Sequence, residues 1–161
     1  MKAFIIGIAL FFVFMIFTIY QYDYNFHQEQ VYNLKFVAEE VAAGAAQYIL
    51  IEDFTEGKLI FNQSESIKAV EYILQKNLKL NSNLFPESNS YWQEQINYEI
   101  KFFDDSNTAY PYLYEDVNKF ITLTITDPTV VITINAGKPR YRLLDNPPIV
   151  ISTAAHEWKG R

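Results

Sequence analysis

Cysteine is absent from this 161-residue chain, which excludes a disulfide framework and any thiolate metal site. An exported domain of this composition relies on packing alone. Histidine is almost absent: His27 and His156 are the two in the chain. Nucleophilic catalysis needs a base beside the nucleophile, and neither histidine lies in a catalytic motif, so the chain reads as a non-enzyme. With five glycines, none gathered into a phosphate-binding loop, no cofactor is expected. Thirteen basic residues stand against nineteen acidic ones, a net charge of −6. That balance argues against nucleic acid, whose partners present a basic face. Proline does not occur before Pro86, so nothing in the first half of the chain breaks a helix by losing an amide donor.

What is abundant is apolar and aromatic surface. Half of the residues are hydrophobic and 17% are aromatic, with twelve Tyr and thirteen Phe, a composition that folds rather than staying disordered. From Ala3 to Ile19 no residue is charged. Helical residues rise about 1.5 Å each, so the run from Ala3 to Tyr20 spans about 27 Å, the hydrocarbon thickness of a bilayer. Tyr20, Tyr22, Tyr24 and Phe26 follow and suit the aromatic belt at a membrane interface. Lys2 precedes the run, Asp23 and Glu29 follow it, and the next basic residue is Lys35. The positive-inside bias then places residues 1–20 as a single-pass anchor with a cytoplasmic N-terminus and an extracytoplasmic C-terminal domain. A cleaved signal peptide has a shorter core and a small-x-small cleavage site. Thr18-Ile19-Tyr20-Gln21-Tyr22 offers none, so the helix is expected to stay attached to the membrane.

Residues 21–54 read as a helical stalk continuing the anchor without a break. Val31, Leu34, Ala38, Val41, Ala45 and Tyr48 recur at alternating spacings of three and four, the seam by which one helix packs along another. Ala42 and Ala46 add small side chains that let backbones approach closely. Gly44 costs about 1 kcal/mol relative to Ala inside a helix, which a close contact would offset. This stripe either packs on the chain's own globular part, above all in its C-terminal half, or associates with a partner helix next to the membrane.

Residues 55–161 read as a globular α+β head. Gly57 stops the long helix. Ser64 is expected as the N-cap of a second amphipathic helix carrying Ile67, Val70, Ile73, Leu74 and Leu78. Alternation over residues 95–103, 119–126 and 130–135 predicts strands of one antiparallel meander. Tyr141 to Leu144 is a further candidate strand, and Ile149 to Ile151 is followed by a polar tail through Trp158. The two helices are expected to cover the apolar strand faces. Thr122, Thr124 and Thr133 are expected to stay exposed or to meet a neighbour. Asp104-Asp105-Ser106-Asn107 packs oxygen ligands into a turn, though turns favour these residues for backbone reasons alone. Tyr110 to Tyr114 either forms an exposed contact patch or folds back on the sheet.

A short cytoplasmic tip, a membrane helix running on as a stalk and a β-rich C-terminal head is similar to the layout of type IV pilin-like proteins. The run Val37-Ala38-Glu39-Glu40-Val41-Ala42-Ala43-Gly44-Ala45-Ala46 resembles the Ala-rich segment after the membrane helix of TadE-like minor pilins. The family's prepilin-peptidase site, a Gly opening the apolar run with a Glu shortly after it, is not matched. Gly7 lies inside the run and the first acidic residue is Asp23. The resemblance implies a structural or assembly subunit of a surface filament or secretion apparatus, and the unmatched site makes it an unusual or unprocessed one. Its partners would be the membrane and other copies of itself or related pilin-like subunits. The alternative is a monomeric membrane-tethered binding or accessory domain.

Overall fold

The computed structural model describes residues 2–116, 121–140 and 148–159. Its first element is one helix of 44 residues, α1, Lys2–Ala45. The expected unbroken continuation through residue 54 does not occur. After Ala45 the chain turns back, and Ile49 forms a β-bridge with Phe61. The amide of Leu50 donates to Ile60 O at 2.9 Å and that of Asn62 to Tyr48 O at 2.9 Å. These bonds draw the backbone out of the helical ladder, and the buried hydroxyl of Ser66 donates to Ala45 O at 2.8 Å, satisfying one of the carbonyls that a helix end leaves open. A separate short helix, α2, covers Ile51–Thr55. Gly57, at φ 82°, ends that helix and not the long one.

The amphipathic helix α3 is Gln63–Leu78. It begins one residue before the expected cap: Asn62 accepts from the Glu65 amide at 3.3 Å, while the Ser64 hydroxyl donates to Asn62 Oδ1. Val70, Leu74 and Leu78 are buried in the same core as Leu34, Val37, Val41 and Ala45 of α1, so the two helices form one layer.

The strands are β1 (Asn97–Phe103), β2 (Tyr112–Asp116), β3 (Ile121–Ile125), β4 (Thr129–Asn135) and β5 (Ile151–Glu157). They do not make a single meander. Among the described residues β1, β4 and β5 form one antiparallel sheet in that order, and β2 pairs with β3 in a separate hairpin. The register sets Ile100 opposite Ile132, and Ile132 opposite Ala154. The reason lies in β4, where Val130, Ile132 and Ile134 join the core shared with the helices. Val131, pointing the other way, packs with Tyr114 and Ile125 of the hairpin. A strand apolar on both faces needs cover on both, and it takes the central place. Strand β3 keeps Thr122 and Thr124 exposed and sits in the outer layer. The result is three layers: helices, sheet and hairpin.

Two further expectations change. The supposed polar tail is β5, whose Ala154 enters the core. Thr133 is neither exposed nor available to a neighbour: its hydroxyl pairs with that of Thr153 at 2.8 Å. Residues 141–144 and 119–120 of the expected strands lie outside the described residues.

Candidate membrane anchor and helix-packing face

Every residue of α1 from Lys2 to Tyr22 is exposed. Its most apolar 18-residue window has a mean hydropathy of 2.6 and is 0% buried within the protein. Such a helix, apolar on all sides and uncovered by protein, matches hydrocarbon better than water. By length and composition it suffices to cross a membrane, consistent with a single-pass membrane protein. The one hydroxyl in its apolar body, that of Thr18, donates to Phe14 O at 2.9 Å, which spares it an unpaired polar group in lipid.

The aromatic residues past the span divide in role. Tyr20, Tyr22 and Tyr24 are 47%, 72% and 47% exposed. Phe26 stands edge-on to Tyr91 of the head, with ring centroids 5.3 Å apart. One residue on, His27 Nδ1 lies 2.8 Å from the Tyr91 hydroxyl. Desolvation lowers the His27 pKa, favouring neutral imidazole at this contact. The head thus begins to touch α1 within two turns of the span. A cavity of about 650 Å³ opens there, lined among the described residues by Asp23 and Phe26 from α1 and by Lys79, Tyr91, Trp92 and Arg140 from the head. Asp23 Oδ2 is shielded from solvent without a hydrogen-bond partner. Arg140 donates through one guanidinium nitrogen to Ser88 O at 3.2 Å.

The heptad seam has a definite occupant. Leu34, Ala38, Val41, Ala42 and Ala45 are each 0% exposed and Ala46 is 2% exposed. They pack with Val70 and Leu74 of α3 and with Ile132, Ile134 and Ala154 of the sheet. Val31 is partly buried, and Tyr48 lies past the helix end, exposed. Gly44 answers to a close approach: a Cβ there would lie 2.6 Å from Ile73 Cδ1. On the opposite side of α1, Tyr32 and Phe36 are 62% and 65% exposed. Sequence reasoning missed Val37 on the buried stripe, and it missed Asp23, Tyr91 and Arg140 at the base of the head. A lone carboxylate set among the aromatic residues, between Tyr22 and Tyr24, was the available signal for Asp23.

The other candidates are tied into the fold. Asp104 is 0% exposed. Its Oδ2 accepts from the Phe61 amide at 3.2 Å, and its Oδ1 accepts from the Ser106 amide and hydroxyl. Asp105 accepts from the Leu59 amide at 2.7 Å. These carboxylates fasten the 58–61 link to the turn after β1. In the aromatic segment, Tyr114 packs beneath Lys101, whose ammonium lies 5.0 Å from its ring centroid, while Tyr112 and Leu113 stay 42% and 55% exposed. Tyr110 is pushed up to about 12, chiefly by burial and then by Asp105, Asp104 and Asp127. His156 stands on β5 opposite Val130, beside the groove that Phe54 and Trp158 line.

No protein-family profile, curated protein or solved structure matches this chain.

Proposed function

We propose that this chain is a membrane-anchored, pilin-like structural or assembly subunit of a surface filament or secretion apparatus. In this reading its N-terminus is cytoplasmic, its head is extracytoplasmic, and it works with other copies of itself or related subunits. One observation carries the reading. A single unbroken helix gives its first half to an uncovered apolar rod and its second half to the core of an α+β head. A lone tether would not require that rigid continuity, whereas a subunit that packs by its helix would. Because the head occupies the Leu34–Ala45 stripe, association uses the span and the outward side with Tyr32 and Phe36.

The occupied stripe also favours a second reading, a monomeric tethered accessory or binding domain. Single cysteines separate the two, since the chain has none of its own. In membranes, cysteine at Tyr32 or Phe36 is expected to crosslink between chains, and cysteine at Leu34 is not. Absence of crosslinks at Tyr32, Phe36 and throughout the span would favour the monomer.

A further inference from the structure

The cavity beneath the head lies at a depth fixed by the anchor. Asp23 follows Tyr20, the end of the apolar run, by three residues, or about 4.5 Å of helix. The polar layer on each side of a bilayer is about 5–7 Å deep, so Asp23 stands among the headgroups of the leaflet on the head's side. The cavity, about 650 Å³, falls in the ordinary range for small-molecule sites.

Its walls carry charge of both signs. Asp23 supplies a carboxylate whose Oδ2 is shielded and unpartnered. Such an oxygen is costly, and a cation entering the cavity that Asp23 lines would relieve it. Lys79 and Arg140 supply cations on the head side, with Arg140 engaged through one of its nitrogens on Ser88 O. Phe26 and Tyr91 add aromatic rings, on whose faces an ammonium is attracted. A purely anionic ligand would leave Asp23 opposed by like charge, and a purely cationic one would be repelled by Lys79 and Arg140.

We propose that this cavity holds the headgroup of a phospholipid that bears both a phosphate and a primary ammonium. The phosphate meets Arg140 and Lys79, and the ammonium meets Asp23. The inference rests on the membrane-anchored part of the proposed function and not on assembly.

The test uses the full chain in nanodiscs of phosphatidylcholine mixed with phosphatidylethanolamine or phosphatidylglycerol, with retained lipids read by native mass spectrometry. Phosphatidylethanolamine is expected to be enriched about tenfold over phosphatidylcholine, the scale of one charge-assisted hydrogen bond. Asp23→Asn should abolish that preference. Arg140→Gln should weaken retention of both lipids, and Arg140→Lys should keep it. Thermal melts of each variant separate loss of binding from loss of fold. If Arg140→Gln melts early, the Asp23→Asn and Arg140→Lys results decide the matter. Equal retention of the two zwitterionic lipids, a preference for phosphatidylglycerol, or an unchanged preference in Asp23→Asn would overturn the proposal. Equally tight binding of soluble glycerophosphoethanolamine would overturn the lipid as occupant. Release of the chain from vesicles by alkaline carbonate would defeat the anchor itself, whereas full integration without enrichment would defeat the lipid site alone.

Discussion

Gly44 offers a sharp test of how α1 is packed. It stands in the last turn of the helix, and a Cβ at this position would lie 2.6 Å from Ile73 Cδ1 of α3. Carbon atoms settle at about 3.5–4.0 Å, so the Ile73 methyl would have to retreat by about 1 Å. Two effects oppose each other in Gly44→Ala. Helix propensity gains up to about 1 kcal/mol, less near a helix end. Overpacking costs about 1–3 kcal/mol, towards the lower figure here because Ile73 is only partly buried and Cδ1 ends a flexible side chain. The net expectation is a loss of about 0.5–1.5 kcal/mol.

Ile73→Val removes the colliding methyl at a cost of about 0.5–1 kcal/mol. In that background Gly44→Ala should stabilise by about 0.5 kcal/mol or more, its propensity gain now unopposed. The coupling energy of the double-mutant cycle should therefore be about 1–2 kcal/mol. Urea unfolding of the full chain in nanodiscs, followed by tryptophan fluorescence, measures it, with an unchanged slope showing that the unfolded state is the same. Additivity within about 0.3–0.5 kcal/mol would refute the argument and return Gly44 to an ordinary helix position.

Asp104→Ala strips the acceptor from the Phe61 amide and from the Ser106 amide and hydroxyl. It should cost about 2–4 kcal/mol, since the buried Phe61 amide left unpaired costs about 1–3 and the two part-buried Ser106 bonds add to that. Asp105→Ala, at an exposed residue serving one amide, should cost about 1 kcal/mol; equal losses in urea midpoint would refute this division. For His27, desolvation lowers the folded pKa below the ordinary 6.5, so the unfolded chain takes up its proton first as pH falls. Its contribution to stability is complete above 6.5 and is lost as pH drops from there through the folded midpoint. An NMR titration of the ring in nanodiscs should give a midpoint below 6.5, and one at or above that value would contradict the reading.

How much of this was legible depended on what periodicity encodes. The apolar rod was readable because the run from Ala3 to Ile19 carries no charge and is long enough to cross a membrane. The Leu34-Ala38-Val41-Ala45 spacing marked one face of α1, and that face is buried within the chain, but spacing does not name the cover. The cover includes Ile132 and Ala154, almost a hundred residues or more downstream. The sheet was misassigned for a similar reason. Alternation in β3 and β4 looked alike, yet the adjacent pair Val130-Val131 marked β4 as apolar on both faces, and that pair outweighs the short turn that suggested a β3–β4 hairpin. Strand β5 was hidden because Ser152-Thr153-Ala154-Ala155 is small and polar, although Ala154 lies in the core shared with α1. Asp23 and Arg140 line one cavity through the fold alone, being over a hundred residues apart.

The sequence suggested a helical stalk over residues 21–54 between anchor and head, and in the fold the head lies along that stretch from Phe26 onward. Contact between α1 and the head begins at Phe26 and His27, which meet Tyr91, only six and seven residues past Tyr20. That distance is about 9–10 Å of helix, little more than the polar layer of a leaflet. The same helix continues unbroken to Ala45, where its side chains are the core of the head. No hinge separates span from head, since α1 has no proline and its single glycine past the span, Gly44, is clamped against Ile73. On the proposed single-pass reading the head is therefore oriented by the helix itself, with its Tyr91–Trp92 end turned to the bilayer. Any tilt or rotation that packing imposes on the span is passed to the head as a rigid body. In an assembly subunit, that coupling makes the register of the spans and the arrangement of the heads a single variable.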